Sequence, residues 1–149
     1  MSTPFRLEIP GKLYQEIVRQ ALAARPNECC GLLAGKLLPP DPTSIIVGQV
    51  EQLFRMTNAK ADPERYAIDP AEMAAAMREM RRDGTQELAF YHSHPTSEPV
   101  PSKTDLAENG YGDCVIHLIV SLTSVPPLVR GWWLREDTYR EAEFSLIEE

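Results

Sequence analysis

The sequence predicts an α/β (α+β) fold, a mixed β-sheet flanked by helices. Three observations predict it. Short runs that alternate or stay apolar, bounded by Pro, Gly or Asn, recur along the chain and read as strands. Other segments carry apolar residues at helical spacing and are closed by Pro or Gly. The two kinds interleave, as helices laid over a sheet must.

Each element has its own reason. Residues 5–9 alternate apolar and polar and predict a first strand. Residues 12–24 repeat Leu13, Ile17, Ala21 and Ala24 along one helical face, and Pro26 stops the helix. Residues 29–34 are a short apolar run, hence a buried strand, and residues 38–43, with three Pro, are a loop. Residues 44–56 open with β-branched side chains and predict a long or bent strand. At the next helix start Asp69 can cap, Pro70 suits the first position and Glu72 completes a capping box. Met73, Ala76, Met77 and Met80 then form an apolar stripe that Gly84 ends.

Residues 87–94 predict a strand, residues 102–109 a short helix, and residues 115–122, almost wholly apolar, a central strand. Val125, Pro126 and Pro127 turn the chain into a strand over residues 128–134. Trp132 and Trp133 are neighbours on it, so one is expected in the core and the other at the surface or an interface. Residues 139–147 alternate in part and predict one last edge strand. The total is roughly six strands and three helices.

The bulk properties bound the function. The 149 residues fit one domain, 1–149, with 43% hydrophobic and 25% charged side chains. A formal net charge of −7 and no basic cluster argue against nucleic acid as the partner. No run approaches the roughly 20 apolar residues of a membrane span. Residues 1–6 lack a basic-then-apolar signal region. Three Cys, two of them the adjacent Cys29 and Cys30, make a poor disulfide framework, so reduced thiols and a cytoplasmic setting are expected.

The chemistry concentrates in Tyr91-His92-Ser93-His94-Pro95, followed by Ser102 and Asp105. His92 and His94, two apart on a strand, share one face. Pro95, Pro99 and Pro101 then stop the strand and hand the chain to a helix whose first turn holds Asp105. Two imidazoles and one carboxylate are the ligand set of a catalytic zinc that keeps its fourth position open. Ser102-Lys103-Thr104-Asp105 also reads as a capping box, which needs no metal, yet a helix start is a good place to hold a ligand still. A hydrolase built on such a zinc also needs a general base. Glu28 is the candidate, because it heads the apolar run Cys29–Ala34 where an unpartnered Glu is unusual.

These positions together resemble the JAMM (MPN+) zinc metalloprotease motif: Glu28, then His92-Ser93-His94-Pro95, seven residues, Ser102, two residues, Asp105. The flanks Pro26-Asn27-Glu28-Cys29-Cys30-Gly31 and Leu118-Ile119-Val120-Ser121 agree, and the resemblance covers about residues 5–135. It implies a fold like that of cytidine deaminases. It implies one zinc per chain on His92, His94 and Asp105, with Glu28 as general base and Ser102 helping to stabilise the oxyanion. The reaction implied is hydrolysis of an amide or isopeptide bond after a C-terminal Gly-Gly tail. The lack of room for long insertions points to the short prokaryotic branch, whose partners are ubiquitin-like or sulfur-carrier β-grasp proteins.

Other readings rest on specific features. The His-x-Glu and Pro-Cys-x-x-Cys of nucleoside deaminases are missing, which excludes that chemistry. RadC-like relatives carry Asn where Ser93 stands and have a preceding helical domain. The cell-wall-cutting phage-tail relatives usually carry a second, cysteine-based domain, which this sequence lacks. The alternatives are a non-catalytic MPN scaffold, which loses ligands or the glutamate, and a JAMM-type hydrolase of another small amide or peptide. Asn58, Tyr66 and residues 96–100 are candidate walls for a substrate tail added as a strand, though structural roles are expected for each. His117, inside an apolar run, is expected to be a hydrogen-bonded core histidine.

Overall fold

The computed structural model describes residues 4–39 and 45–148. Its elements in order are β1 (Arg6–Pro10), α1 (Gly11–Ala24), β2 (Cys30–Leu38), β3 (Val47–Met56), α2 (Pro70–Asp83) and β4 (Gln86–His94). They continue with α3 (Lys103–Ala107), β5 (Ile116–Ser121), β6 (Leu128–Leu134), β7 (Tyr139–Ala142) and β8 (Phe144–Ile147). The eight strands form one mixed sheet in the order β7-β6-β5-β4-β2-β3-β1-β8. β1 runs parallel to β3 and β8, and β4 parallel to β5; the other pairs are antiparallel.

The sheet curls until its ends almost meet. β7 and β8 sit on opposite edges, yet only Glu143 separates them in sequence. The Glu143 carbonyl accepts the Leu7 amide at 3.1 Å, and Phe5 meets Trp133 edge-on with ring centroids 5.0 Å apart. The single last strand expected over residues 139–147 is therefore two. Partial alternation runs through both, but the chain leaves one edge at Ala142 and joins the other at Phe144. Seven segments read as strands, against a round total of six, and this division of the last one makes eight.

Alternation divides the core. On the α1 side Leu7, Ile9, Leu33, Tyr91, Leu118 and Val120 pack with Ile17 and Ala21. On the opposite side Cys30, Leu32, Phe90 and Val115 meet Ala76 and Met80 of α2. Beside them Ile119, Trp132 and Leu134 meet Val100 and Leu106. Trp132 and Trp133 point to opposite faces as expected, but both are buried, because loop 95–101 covers Trp132 and the sheet's curl covers Trp133.

Three local expectations are corrected. Asp69 precedes α2 without a side-chain cap, because Glu72 instead accepts the Thr57 amide at 2.6 Å and its hydroxyl at 2.8 Å. The tertiary partner outcompetes the local box. In the α2 stripe Ala76 and Met80 are buried, but Met77 is exposed, since the helix touches the sheet along a narrower line. β2 continues past Ala34 to Leu38, paired throughout with β3. The expected loop over residues 38–43 lies mostly outside the described residues, as does residue 44 of the expected third strand. Gly84 closes α2 in the left-handed conformation (φ 70°), its amide bonded to the Met80 carbonyl. No described helix is long and apolar enough to cross a membrane.

Candidate metal centre

β4 ends at His94, so His92 and His94 project from its last turn of alternation toward the α2/α3 side, the face that Phe90 also occupies. Both are buried. β5 lies alongside in parallel, with His92 opposite Ile119 and Phe90 opposite His117. The chain then leaves the sheet through loop 95–101, which is held at its root and at two points along it. The Leu122 amide donates to the His94 carbonyl (3.1 Å), the Ser121 hydroxyl to Ser97 (2.7 Å) and the Trp132 indole to Pro99 (2.8 Å).

That loop delivers the start of α3 over the two imidazoles. Ser102 Oγ accepts the Asp105 amide (3.0 Å), and the Asp105 carboxylate accepts the Ser102 amide (2.9 Å), so the capping box forms. It fixes the carboxylate with Oδ1 3.2 Å from His92 Nε2 and Oδ2 3.2 Å from His94 Nε2. The two Nε2 atoms are themselves 3.2 Å apart.

This geometry fits a metal ion. Ligands about 2.0 to 2.1 Å from a tetrahedral zinc lie about 3.3 to 3.4 Å from one another. His92, His94 and Asp105 are the three-residue group among the described residues whose donor atoms converge within 4.8 Å of one another. His94 is also set in the right tautomer. Its Nδ1 is 2.8 Å from the Glu98 carbonyl, which only accepts, so the proton sits on Nδ1 and the Nε2 lone pair is free. Two imidazole nitrogens facing each other at 3.2 Å are poorly matched unless a proton or a cation lies between them.

Electrostatics agree. Burial pushes the Asp105 carboxyl up, but His92 and His94 beside it and the Ser102 amide hold it well below the usual carboxylate range. Burial pulls the His94 imidazole down, and Asp105 and the Glu98 carbonyl outweigh it, for a net rise. Tyr66 stacks on His92 with centroids 4.5 Å apart and planes 21° apart, which fixes the ring's tilt.

Glu28, two residues before β2, reaches the same face. Cys30 pairs with His92, so the register carried back two residues puts Glu28 level with His94. The junction is pinned by Ser93, which donates its amide to the Cys29 carbonyl (3.1 Å) and accepts the Cys29 amide on Oγ (2.8 Å). From the far side Asn58 donates to the Glu28 carbonyl at 3.0 Å. Glu28 is 4% exposed and its Oε1 has no hydrogen-bond partner. Burial raises its pKa to about 8 despite the opposing pull of His94.

All five singled-out positions thus gather at one place. The positioning roles of Ser93, Glu98 and Trp132 are hard to read from spacing. Their contacts are cross-strand or run through backbone carbonyls, so only the Ser between the two His carried any signal. Asn58 organises segment 57–68, bonding to the Arg65 carbonyl and to the Lys60 and Ala67 amides as well. Cys29, Cys30 and Cys114 are all free thiols. Cys30 shares the site's face, where burial pushes its thiol to about 12. His117 is buried as expected of a core residue, but its Nε2 lacks the expected hydrogen-bond partner.

The chain resembles proteins of known kinds. It is 33% identical over 104 residues to the CysO-cysteine peptidase of Mycobacterium tuberculosis, covering 70% of this chain and 66% of that protein. It is 36% identical over 81 residues to the desampylase of Haloferax volcanii, covering 54% and 52%. It is 31% identical over 103 residues to a probable TtuB-protein conjugate cleaving protease of Thermus thermophilus, covering 68% and 62%. The match thus spans between half and two-thirds of the length of these relatives. A solution structure of a Desulfitobacterium hafniense protein superposes with a TM-score of 0.81 at 30% identity, covering 96% of this chain and 94% of that one. The family of prokaryotic homologues of the JAB domain matches residues 10–135, a span that holds Glu28, both His and Asp105, and the chain belongs to this JAMM-type family.

Proposed function

We propose that this chain is a zinc-dependent metallo(iso)peptidase. It hydrolyses the amide or isopeptide bond after the C-terminal Gly-Gly tail of a ubiquitin-like or sulfur-carrier β-grasp protein, in the cytoplasm, as a single domain. The observation that carries the reading is the convergence of His92, His94 and Asp105 at 3.2 Å spacings with an unpartnered, proton-avid Glu28 on the same face. The named activities of the relatives, a peptidase, a desampylase and a conjugate-cleaving protease, support the substrate class.

In this reading His92, His94 and Asp105 hold one zinc through the atoms that already converge. Bound there, the ion supplies Lewis acidity, polarising a carbonyl and acidifying water. Glu28 accepts the proton of the attacking water and returns it to the leaving amine. A buried carboxyl that binds a proton more tightly than usual suits both halves of that task. Ser102 spends its Oγ lone pair on the Asp105 amide and keeps its hydroxyl proton to donate to the oxyanion. Ser93 and the Glu98 carbonyl hold Glu28 and His94 in place.

The test uses a β-grasp protein ending in Gly-Gly and extended by one cysteine. The purified chain should release cysteine, stop when zinc is chelated and recover on adding zinc back. Glu28→Gln should lower the rate by about 10²- to 10⁴-fold, the usual weight of a general acid–base. Cleavage that survives chelation, or a Glu28→Gln variant within about threefold of wild type, would defeat the proposal.

A further inference from the structure

Segment 57–68, between β3 and α2, meets the candidate site at two points. At the first it holds Glu28. That residue stands before the first residue of β2, and both of its backbone polar groups bond to the segment. Its amide donates to the Asp62 carbonyl at 3.0 Å, and its carbonyl accepts the Asn58 side-chain nitrogen at 3.0 Å. At the second point Tyr66 stacks on His92, with 4.5 Å between ring centroids. The two histidines differ in how they are oriented. His94 Nδ1 is set by the Glu98 carbonyl, whereas His92 Nδ1 is buried with no hydrogen-bond partner. His92 therefore takes its tilt from packing against Tyr66 rather than from a hydrogen bond.

Asn58 joins the two points. Besides Glu28, its side-chain nitrogen donates to the Arg65 carbonyl at 2.9 Å, one residue before Tyr66. Its side-chain oxygen accepts the Ala67 amide at 3.1 Å, one residue after Tyr66, and the Lys60 amide at 3.0 Å. The Ala59 amide donates to the Ala67 carbonyl at 2.8 Å, and Asn58 bridges to Ile68, so the segment closes on itself with Asn58 at its neck. The amide thus uses both donors and both acceptor lone pairs. An ionised aspartate has no donor, and a serine or threonine hydroxyl has only one.

We propose that Asn58 is a positioning residue of the hydrolysis: it braces segment 57–68 so that Glu28, held by its backbone, and His92, held through Tyr66, keep one fixed spacing. The proposal rests on the peptidase reading. Asn58 acts only through these other residues. A general base must stand within hydrogen-bond reach of its water, and a misplacement of about 1 Å can cost about 10²-fold in rate. A metal ligand that loses the partner orienting it costs about 10- to 100-fold in metal affinity or activity. Loosening the brace therefore acts on both the base and the metal.

The test makes two measurements on the full chain at a temperature well below unfolding. One is cysteine release from the cysteine-extended β-grasp protein at saturating zinc; the other is zinc affinity by chelator competition. Asn58→Ala should lower kcat by about ten- to a hundredfold with KM within about threefold of wild type, and should weaken zinc binding by about tenfold or more. A residue that only folds its loop would lower the melting temperature and leave both quantities in place. Either kcat or zinc affinity within about threefold of wild type would therefore overturn the proposal. Should the alanine variant fail to fold, Asn58→Ser answers in its place. Its hydroxyl can still accept the Lys60 amide but is too short to reach Glu28 or Arg65, and the same limits apply. A wild-type chain that binds zinc and releases no cysteine counts against the peptidase reading instead. Asn58 is then judged by zinc affinity alone, and an unchanged affinity overturns its role.

Discussion

Under α1 the sheet presents Leu7, Ile9, Leu33, Tyr91, Leu118 and Val120, while the same strands turn Cys30, Phe90, His92, His94 and His117 to the other side. On the α1 face the polar atoms are few and paired. The Tyr91 hydroxyl donates to the Gln20 amide oxygen, and the Gln20 nitrogen donates to the Cys30 carbonyl at 3.0 Å. On the other face Glu28 Oε1, His92 Nδ1 and His117 Nε2 are buried without partners. One sheet thus keeps close packing on one side and stored, unsatisfied polarity on the other. Unmet polar groups are expected where a protein holds a ligand, and the closely packed face carries the stability that offsets them.

Two experiments sharpen that contrast. The larger effect belongs to the packed face. A Cβ at Gly31 would fall inside the Tyr91 ring, which is fully buried and tied to Gln20. Gly31→Ala should destabilise the fold by about 3 kcal/mol or more in urea unfolding, the range of overpacked cores. A loss under about 1 kcal/mol would show that this face gives way more easily than its packing implies.

The smaller effect belongs to the site face and has the opposite sign. Glu28 ionises near 4.5 when unfolded and, pushed up by burial, near 8 when folded. Between those values the folded chain keeps a proton that the unfolded chain has lost, so stability falls as pH rises through that window. In the chelated protein Glu28→Gln cannot ionise and should escape the loss. It should be more stable than wild type by about 1 to 3 kcal/mol at pH 8, with the gain vanishing near pH 4. A variant less stable than wild type at pH 8 would mean that Glu28 is no burden on the metal-free fold.

The same contrast separates what the chain disclosed from what it withheld. His92 and His94 on one strand face, and Ser102 capping the helix that holds Asp105, depend on neighbours within a few residues, so spacing alone exposed them. Glu28 is different. It lies far upstream, and an apolar strand behind it was the only local hint before the family motif joined it to the histidines. Ser93 and the Glu98 carbonyl act through bonds set by tertiary pairing, which no period reveals. Glu72 had a valid local role that Thr57 took over from across the fold. The split of residues 139–147 at Glu143 follows from the sheet closing on itself, a global event that leaves the alternation on either side intact.

The central claim is that His92, His94 and Asp105 hold the metal while Glu28 acts beside it without holding it. Zinc per chain, measured by plasma mass spectrometry on wild type, Glu28→Gln and Asp105→Ala purified side by side, tests it most directly. The account predicts about one zinc in wild type and in Glu28→Gln, and less than about a tenth of that in Asp105→Ala. A full zinc in Asp105→Ala, or its loss from Glu28→Gln, would contradict it.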